Sequence, residues 1–177
     1  TTTAHIAPKS LTVSGNTASN KTYDSNSVAT VSVTLSGFVG SETLTFTNSS
    51  SFNDKNVGTG KTVTVDSITL ADGTNGGLAS NYSVAPGQTT TANITAKSLT
   101  VSGITASSKT YDGSANATLD TSSVLYSGLV SGDTFNGSYT GVFANANVGT
   151  GKTVTITSSY SGADSGNYTV TDQSSTT

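Results

Sequence analysis

The sequence predicts an all-β protein made of two small antiparallel β domains in tandem, arranged end to end. Three observations predict this: apolar residues alternate with Ser and Thr, glycine-containing turn signals separate the alternating runs, and the first half of the chain recurs in the second. No stretch of useful length has helical periodicity. We expect each domain to be an immunoglobulin-like sandwich, with a β-grasp-like fold as the alternative.

The chain contains a tandem repeat with a period of about 88 residues. Residues 6–24 (IAPKSLTVSGNTASNKTYD) and 94–112 (ITAKSLTVSGITASSKTYD) are identical at 15 of 19 positions. The segment NVGTGKTVT at 56–64 recurs unchanged at 147–155. The offset between the copies shifts from 88 to 91 and then to 86, as expected for length changes in surface loops. A period of this length suits a small domain better than one coil of a solenoid.

The matches place the two repeat domains at 1–96 and 97–177. Residues 1–6 (TTTAHI) match 89–94 (TTTANI), so we predict that they belong to the exit strand of a preceding repeat. The second domain is predicted to stop within its own exit strand. Residues 94–99 (ITAKSL) contain neither Gly nor Pro, unlike a flexible linker. We therefore expect a semi-rigid, head-to-tail array that lengthens by about 35 Å per repeat if strands of ~10 residues lie near its axis.

Apolar residues at every second position predict the strands of each domain in order. In the first repeat the alternating segments are 11–13, 31–35, 44–46, 63–70, 82–84 and 89–94. In the second repeat the corresponding apolar positions are Leu99, Val101, Leu119, Phe135, Val154, Ile156, Tyr168 and Val170. Turn signals such as Asp72-Gly73 and Asp112-Gly113 separate them.

The composition argues against an enzyme. Ser and Thr fill 65 of 177 positions and only 10% of residues are charged, compared with about 25% in an average soluble domain. The chain has no Cys, which excludes a thiol nucleophile, a disulfide framework and a zinc–thiolate site. The single histidine, His5, could serve at most one Ser-His-Asp triad. We predict no catalytic residues and no cofactor-binding residues.

Charge and hydrophobicity also limit the partners. A net charge of −3 without any Arg argues against nucleic-acid binding, which needs clustered basic residues. No run approaches the ~20 apolar residues of a membrane-spanning helix, so no direct membrane insertion is expected. No signal peptide opens the sequence. We expect a monomer whose partners are neighbouring repeats of the same chain.

Two recurring tyrosine motifs are interpreted as structural. In Lys-Thr-Tyr-Asp, the Tyr ring is expected to pack into the core while Asp accepts backbone N–H bonds in the following turn. In Asn-Tyr-Ser/Thr-Val, the Tyr is expected to form a tyrosine corner, with its hydroxyl bonded to a nearby backbone group. The structural residues of the two motifs are Lys21, Tyr23, Asp24, Lys109, Tyr111, Asp112, Tyr82 and Tyr168. Ser25 stands where the second repeat has Gly113, which predicts a locally different turn.

Three further patterns contain residue types found in binding or crosslinking sites. NVGTG followed by Lys61 or Lys152 resembles a phosphate-binding loop, but a strand pattern follows it, which favours a hairpin turn. Recurring lysines and asparagines supply the groups for a Lys–Asn isopeptide bond, which an intact mass would reveal as the loss of ammonia. Calcium needs six to eight oxygen ligands. Only two acidic positions recur between the repeats, so calcium at the junction between domains is left open and no metal-ligating residue is assigned.

The motif KTYDG at 109–113 resembles the YDG repeat domains of large bacterial surface proteins, to which MBG-type repeats are related. The segments KSLTVSG, NVGTGKTVT and NYT support the resemblance because they occur in the same order in both repeats. The resemblance implies a secreted adhesin of the bacterial cell surface, filamentous-haemagglutinin-like, in which such repeats serve as a stalk. It implies no enzymatic activity.

We therefore expect non-catalytic spacer repeats that project a distal adhesive region. The alternative is a module that binds a glycan or host protein through loops such as 71–80. That loop differs by five residues between the repeats, which favours a spacer, and the absence of Trp argues against a carbohydrate platform. A host-surface or glycan ligand would then belong to the full-length protein.

Overall fold

A computed structural model describes residues 2–177, which form two compact units. Unit 1 extends to Thr22 and continues over Asn26–Thr95, and unit 2 consists of Tyr23–Ser25 together with Ala96–Thr177. The transition after Thr95 lies one residue from the boundary expected from the sequence. The assignment of Tyr23–Ser25 to unit 2 was not predicted, because these residues lie in the middle of the first repeat.

Unit 1 contains seven strands and one 3-10 turn, Ala79–Asn81. The strands are β1 (Lys9–Ala18), β2 (Lys21–Thr22), β3 (Val31–Ser36), β4 (Leu44–Phe52), β5 (Gly58–Asp72), β6 (Tyr82–Val84) and β7 (Thr89–Thr95). They form a three-stranded sheet in the order β3-β1-β6 and a four-stranded sheet in the order β2-β7-β5-β4.

Each sheet of unit 1 buries alternate residues, as the sequence pattern predicts. Strand β3 has the burial pattern of a half-buried strand, with Val31, Val33 and Leu35 buried and the intervening residues more exposed. The core of unit 1 consists of these side chains together with Leu11, Phe52, Val63, Val65, Tyr82, Ala92 and Ile94.

Unit 2 has shorter strands and a second 3-10 turn, Ser165–Asn167. Its strands are β8 (Lys97–Ser102), β9 (Thr105–Ala106), β10 (Asn116–Ala117), β11 (Leu119–Asp120), β12 (Leu125–Ser127), β13 (Asn136–Phe143), β14 (Val154–Ser161), β15 (Tyr168–Thr171) and β16 (Ser175–Thr176). They form sheets in the orders β12-β8-β15, β10-β13-β14-β16 and β11-β9. Leu99, Val101, Ile104, Phe135, Val154 and Ile156 are buried.

The all-β class is confirmed, but the sheets are mixed rather than purely antiparallel. Strand β1 pairs in parallel with β6, β8 pairs in parallel with β15, and β2 pairs in parallel with β7. The expectation of antiparallel domains was wrong for these pairs. Residue alternation reports which face of a strand is buried but not the direction of its neighbour. Since several strands separate the members of each pair, the chain can return in the same direction.

The first residues do not form the predicted strand. Thr1 lies outside the described residues, and residues 2–8 are not in a strand, although they match β7 in sequence. In unit 1, β7 is a strand because it pairs with β5, which precedes it in the chain. Between the two repeats, only Ala96 separates β7 from β8 in the sequence, so no long linker is present there.

The described residues contain no helix long and apolar enough to cross a bilayer.

Candidate functional site

The NYT motif places Tyr168 at the start of β15, directly after a 3-10 turn. Its hydroxyl donates a hydrogen bond to Oδ2 of Asp133 at 2.5 Å and accepts one from the backbone N–H of Val130 at 3.0 Å. The ring is buried. Tyr168 therefore joins its own strand to the segment that precedes β13.

Unit 1 contains the same arrangement around Tyr82. The Tyr82 hydroxyl donates to Oε2 of Glu42 at 2.5 Å and accepts from the backbone N–H of Val39 at 3.0 Å. The tyrosine-corner prediction gave the right kind of bond but the wrong distance along the chain, because the backbone partners are 43 residues away for Tyr82 and 38 for Tyr168. We refer to each Tyr with its acidic residue and Val N–H as the acceptor cluster of its unit.

The acceptor cluster of unit 2 receives Tyr23. The Tyr23 side chain is 1% exposed, and its ring meets that of Tyr168 edge to face, with 5.6 Å between centroids and 78° between planes. Its hydroxyl donates to Oδ1 of Asp164 at 3.4 Å. Asp164 is itself buried, and its Oδ2 accepts the backbone N–H of Thr134 at 2.9 Å. The Tyr of the first KTYD motif is therefore a core residue of unit 2.

Ser25 provides the second polar contact of this segment. Its hydroxyl donates to Oδ1 of Asp133 at 2.7 Å. The backbone of Ser25 is left-handed, with φ of 65°, and Gly113 at the equivalent position has φ of 75°. The two turns thus share a left-handed residue, although their lysines bond different partners. Ser25 adopts the conformation that glycine adopts more readily, at a cost of about 1–3 kcal/mol for a non-glycine residue.

Aromatic rings extend from the acceptor cluster into the core of unit 2. Phe135 lies 5.6 Å from Tyr168, 5.3 Å from Tyr126 and 5.1 Å from Tyr160, measured between ring centroids. Edge-to-face and offset pairs at these distances stabilise a core beyond the area that they bury. Tyr23 therefore occupies one end of a continuous aromatic cluster.

Hydrogen bonds to the acidic and tyrosine side chains of the acceptor clusters shift their pKa values. Burial raises the pKa of Asp133, but hydrogen bonds from the hydroxyls of Tyr168, Ser25 and Tyr23 outweigh it and leave the pKa below the usual range. Burial and the bond to Asp133 raise the pKa of Tyr168 to about 12. The bond to Glu42 likewise raises the pKa of Tyr82. The tyrosines thus remain protonated donors and Asp133 remains a charged acceptor, which suits binding and packing.

The lysine of each KTYD motif holds the turn that follows it. Lys21 Nζ donates to Oδ1 of Asn26 at 3.0 Å and to the carbonyl of Val28 at 3.1 Å. Lys109 Nζ donates to Oδ1 of Asp112 and to the carbonyl of Ser114, both at 2.8 Å.

Asp112 Oδ1 also accepts the N–H of Ser114 at 2.9 Å, the type of turn contact expected for the motif. Its first-repeat counterpart, Asp24, is exposed. Both turns are thus fixed by their lysines.

The second KTYD motif presents its tyrosine to solvent. Tyr111 is 64% exposed, so the expectation that its ring enters a core was wrong for this copy. For the first copy, the ring enters the core of unit 2 instead of the unit formed by the rest of its repeat. The two copies thus share the KTYD sequence and a left-handed residue after it, but they differ in what surrounds the tyrosine.

The NVGTG segments lie where paired antiparallel strands are joined: residues 56–60 run from the β4–β5 connection into the start of β5, and residues 147–151 lie between β13 and β14. Lys61 forms an ion pair with Oδ1 of Asp54 at 2.7 Å, and hydrogen bonds from Lys61 and Asn56 lower the pKa of Asp54. At the equivalent place, Lys152 donates to Oδ1 of Asn145 at 2.6 Å. The lysine in this motif thus binds its own hairpin.

A recess of about 500 Å³ lies on unit 2 beside the exposed motif. Its lining includes Lys109, Tyr111, Phe143, Gly149 and Thr177.

In unit 1 the equivalent space is occupied by β7. There Ile94 pairs with Lys21 on one side and with Gly58 on the other, and its side chain is 1% exposed. The recess therefore has the position and the lining of a groove for an exit strand.

Residues 2–177 contain no group of three or more His, Asp or Glu side chains placed to hold a metal ion. The acidic pair Asp133 and Asp164 is instead occupied by hydroxyl and backbone donors.

The comparison with protein families identifies both repeats. The model of the YDG domain matches residues 7–92 and again 95–177, which together cover nearly the whole chain. The chain belongs to the YDG domain family. No curated protein and no solved structure matches it. The two YDG matches correspond to the two sequence repeats, whereas Tyr23–Ser25 of the first match belong to structural unit 2.

Sequence reasoning selected Tyr82 and Tyr168 but did not find their partners. Glu42 and Asp133 are equivalent positions, and they are one of only two acidic pairs that recur between these YDG repeats. That recurrence was a usable signal. Asp164 left no such signal, because Leu78 occupies its place in the first repeat.

Proposed function

We propose that these YDG repeats are non-catalytic spacers in the stalk of a secreted bacterial cell-surface adhesin, where they hold a distal adhesive region away from the cell. The observation that carries this proposal is that the two repeats share internal structural contacts and differ in the loop most suited to ligand binding. The Tyr–acid–backbone acceptor cluster is present in both units. The loop 71–80, the best candidate for a ligand contact, changes length between the repeats.

The recurring side chains are engaged in contacts within the protein. Tyr hydroxyls with raised pKa values are poor nucleophiles, and an acidic residue occupied by several hydrogen bonds is a poor general base. The weakly charged surface, rich in Ser and Thr, suits an extracellular spacer that does not associate with itself. Repetition without cysteine is consistent with stability obtained from many small domains.

The alternative function, binding of a glycan or host protein, receives some support from the recess beside Tyr111. Its volume is within the range of small-molecule sites. However, the equivalent volume in unit 1 is filled by Ile94 of β7. The recess is thus better explained as the groove of a strand, and the spacer remains the favoured proposal.

Small-angle scattering combined with a ligand screen tests the proposal. We expect the maximum dimension to grow by about 35 Å for each YDG repeat added, with strands of ~10 residues near the long axis. We also expect no specific binding to glycans or host matrix proteins at micromolar concentration. A dimension that stays nearly constant as repeats are added would contradict a spacer. Saturable micromolar binding that is lost when the 71–80 loop is replaced by glycines would favour the ligand-binding module.

A further inference from the structure

We propose that the exposed KTYDG turn of the second repeat, residues 109–113, is a docking element for the acceptor cluster of a further YDG repeat. Its partner is thus another copy of the same domain, contacted through the tyrosine, because Gly113 has no side chain to repeat the bond that Ser25 donates to Asp133. The proposal concerns how repeats recognise one another, and it does not depend on the function of the full-length protein.

The first motif shows the docked state. Tyr23 is buried within unit 2, edge to face with Tyr168, and bonded to Asp164. Ser25 donates to Asp133 at 2.7 Å. Each of these hydroxyls adds a donor to an acid that already accepts another hydrogen bond, from Tyr168 for Asp133 and from the Thr134 N–H for Asp164. The acceptor cluster of unit 2 is therefore completed by residues encoded more than 100 positions earlier.

The second motif also contains a left-handed residue, but its tyrosine is not buried. Its turn is fixed by Lys109, which bonds Asp112 and the Ser114 carbonyl, and Gly113 has the same left-handed backbone as Ser25. Because the turn is already ordered, docking would cost little conformational entropy. Tyr111 nevertheless exposes 64% of its surface. A rigid turn that presents a tyrosine to solvent is suited to an interface, where tyrosine often forms an anchor.

An acceptor cluster is also present in unit 1. Tyr82, Glu42 and the Val39 N–H repeat the geometry of Tyr168, Asp133 and the Val130 N–H, with the same pair of hydrogen bonds.

The position of Asp164 is taken in unit 1 by Leu78, which is 49% exposed. A KTYDG turn docked on this cluster would cover Leu78. Each repeat therefore carries one docking turn and one acceptor cluster.

The first test uses the 177-residue chain and compares the same substitution in the two motifs. We expect Tyr23→Ala to raise the unfolded-to-folded ratio of unit 2 by about 100-fold, as for other large buried aromatic residues, and to accelerate hydrogen exchange in β8 and β14. Protection in β4 and β5 of unit 1 should be unchanged. Tyr111→Ala should change neither unit by more than about twofold.

Equal effects of the two substitutions, or loss of protection confined to unit 1, would overturn the proposal. Tyr23→Phe provides a milder variant that retains the ring. It should raise exchange in unit 2 by about tenfold, since it leaves Asp164 without one donor.

The second test asks whether Tyr111 becomes buried when an acceptor is supplied. The chain is extended after Thr177 by a copy of residues 92–177, which continues the repeat in phase. Nitration of tyrosines with tetranitromethane is followed by mass spectrometry. We expect Tyr111 to react at least tenfold more slowly than in the 177-residue chain, while the equivalent tyrosine of the appended copy stays reactive.

Two matched controls separate docking from other causes of protection. Extension by only residues 92–95 fills the strand groove, which Tyr111 lines, without an acceptor, and the Tyr111 rate should then stay within threefold of the 177-residue chain. Asp164→Asn in the appended copy should restore at least half of the reactivity. A Tyr111 rate within threefold of the original chain in the full extension, or protection produced by the four-residue extension alone, would overturn the proposal.

Discussion

Asp133 receives hydroxyl hydrogen bonds from Tyr168 and Ser25, so its charge is an integral part of unit 2. Its neighbour Asp164 is bonded to Tyr23 and to the Thr134 N–H. Repulsion between the two carboxylates acts against ionisation of Asp133, yet the hydroxyl donors prevail. At the scale of residues, the acceptor cluster is therefore a charged site kept ionised by neutral donors.

This arrangement predicts an acid-sensitive unit 2. A carboxyl whose pKa is lower in the folded than in the unfolded state adds stability above its unfolded pKa of about 3.9 and loses it as the pH falls through the folded value. The urea midpoint of unit 2 should thus be constant above about pH 5 and fall below about pH 4. Tyrosine fluorescence measures this unit selectively, because unit 2 contains every tyrosine of the sequence except Tyr82.

The control for this prediction replaces single carboxyls. Asp133→Asn should reduce the acid dependence, whereas Asp66→Asn, at an exposed position of unit 1, should leave it unchanged. An unaltered acid profile in the Asp133→Asn variant would show that the charge of Asp133 does not contribute.

Opposite behaviour is predicted for Tyr168 at alkaline pH. Its folded pKa of about 12 lies above the unfolded value of about 10, so the stability that it contributes is complete below pH 10 and is lost as the pH rises towards 12. Tyr168→Phe should remove this part of the alkaline decline in the urea midpoint. An unchanged decline in the Tyr168→Phe variant would show that ionisation of Tyr168 does not contribute.

At the scale of elements, the two repeats differ in the backbone conformation of one equivalent glycine. Gly15 lies within the ten-residue strand β1, which pairs with β3 beyond it. Its counterpart Gly103 has φ of 86° and interrupts the strand, so that β8 and β9 are separate.

Sequence alternation predicted the same strand in both repeats and could not predict this break. The break coincides with a difference in the residue after the glycine. Asn16 in the first repeat is replaced by Ile104, which is buried in unit 2 and bonded through its backbone to the side chain of Gln173.

Alanine substitution at the two glycines should therefore have different effects. A Cβ on Gly103 would lie 2.1 Å from the carbonyl oxygen of Ser123 and on a left-handed backbone, whereas a Cβ on Gly15 approaches nothing closer than 4.0 Å. We expect Gly103→Ala to destabilise unit 2 by about 3 kcal/mol and Gly15→Ala to change unit 1 by less than about 0.5 kcal/mol. Thermal or urea unfolding measures both. Similar losses at the two sites would contradict this assignment.

At the scale of the whole molecule, the last strands of the two units differ in length. In unit 1, β7 extends to Thr95 and buries Ile94, whereas in unit 2 the equivalent strand β16 is only Ser175–Thr176. Val148 is 88% exposed beside the recess, while its counterpart Val57 is half-buried. The register of the two copies thus specifies which residues would fill the recess.

Completion of this strand is predicted to stabilise unit 2. Addition of Ala-Asn-Ile-Thr after Thr177, a copy of residues 92–95, should raise the free energy of unfolding by about 2 kcal/mol because the Ile side chain becomes buried. The matched extension Ala-Asn-Thr-Thr should give a much smaller gain. Equal gains from the two extensions, measured by urea unfolding, would show that the groove does not recognise the isoleucine.

The repeat, the all-β class and most strand positions could be predicted, because alternation and self-similarity are local properties of the sequence. The placement of Tyr23 could not, since Tyr23 and Tyr111 occur in the same motif and differ only in what surrounds them. Composition and spacing predict which residues a unit needs. They do not report which part of the chain supplies them.

The discontinuity of unit 2 also has a consequence for biosynthesis. Tyr23 and Asp164 are 141 positions apart, and synthesis proceeds from the amino terminus, so the tyrosine leaves the ribosome long before the carboxylate with which it pairs. A newly made domain of this type therefore closes its core around a side chain that has already been translated. Folding of unit 2 thus depends on a side chain that is translated before the rest of its core.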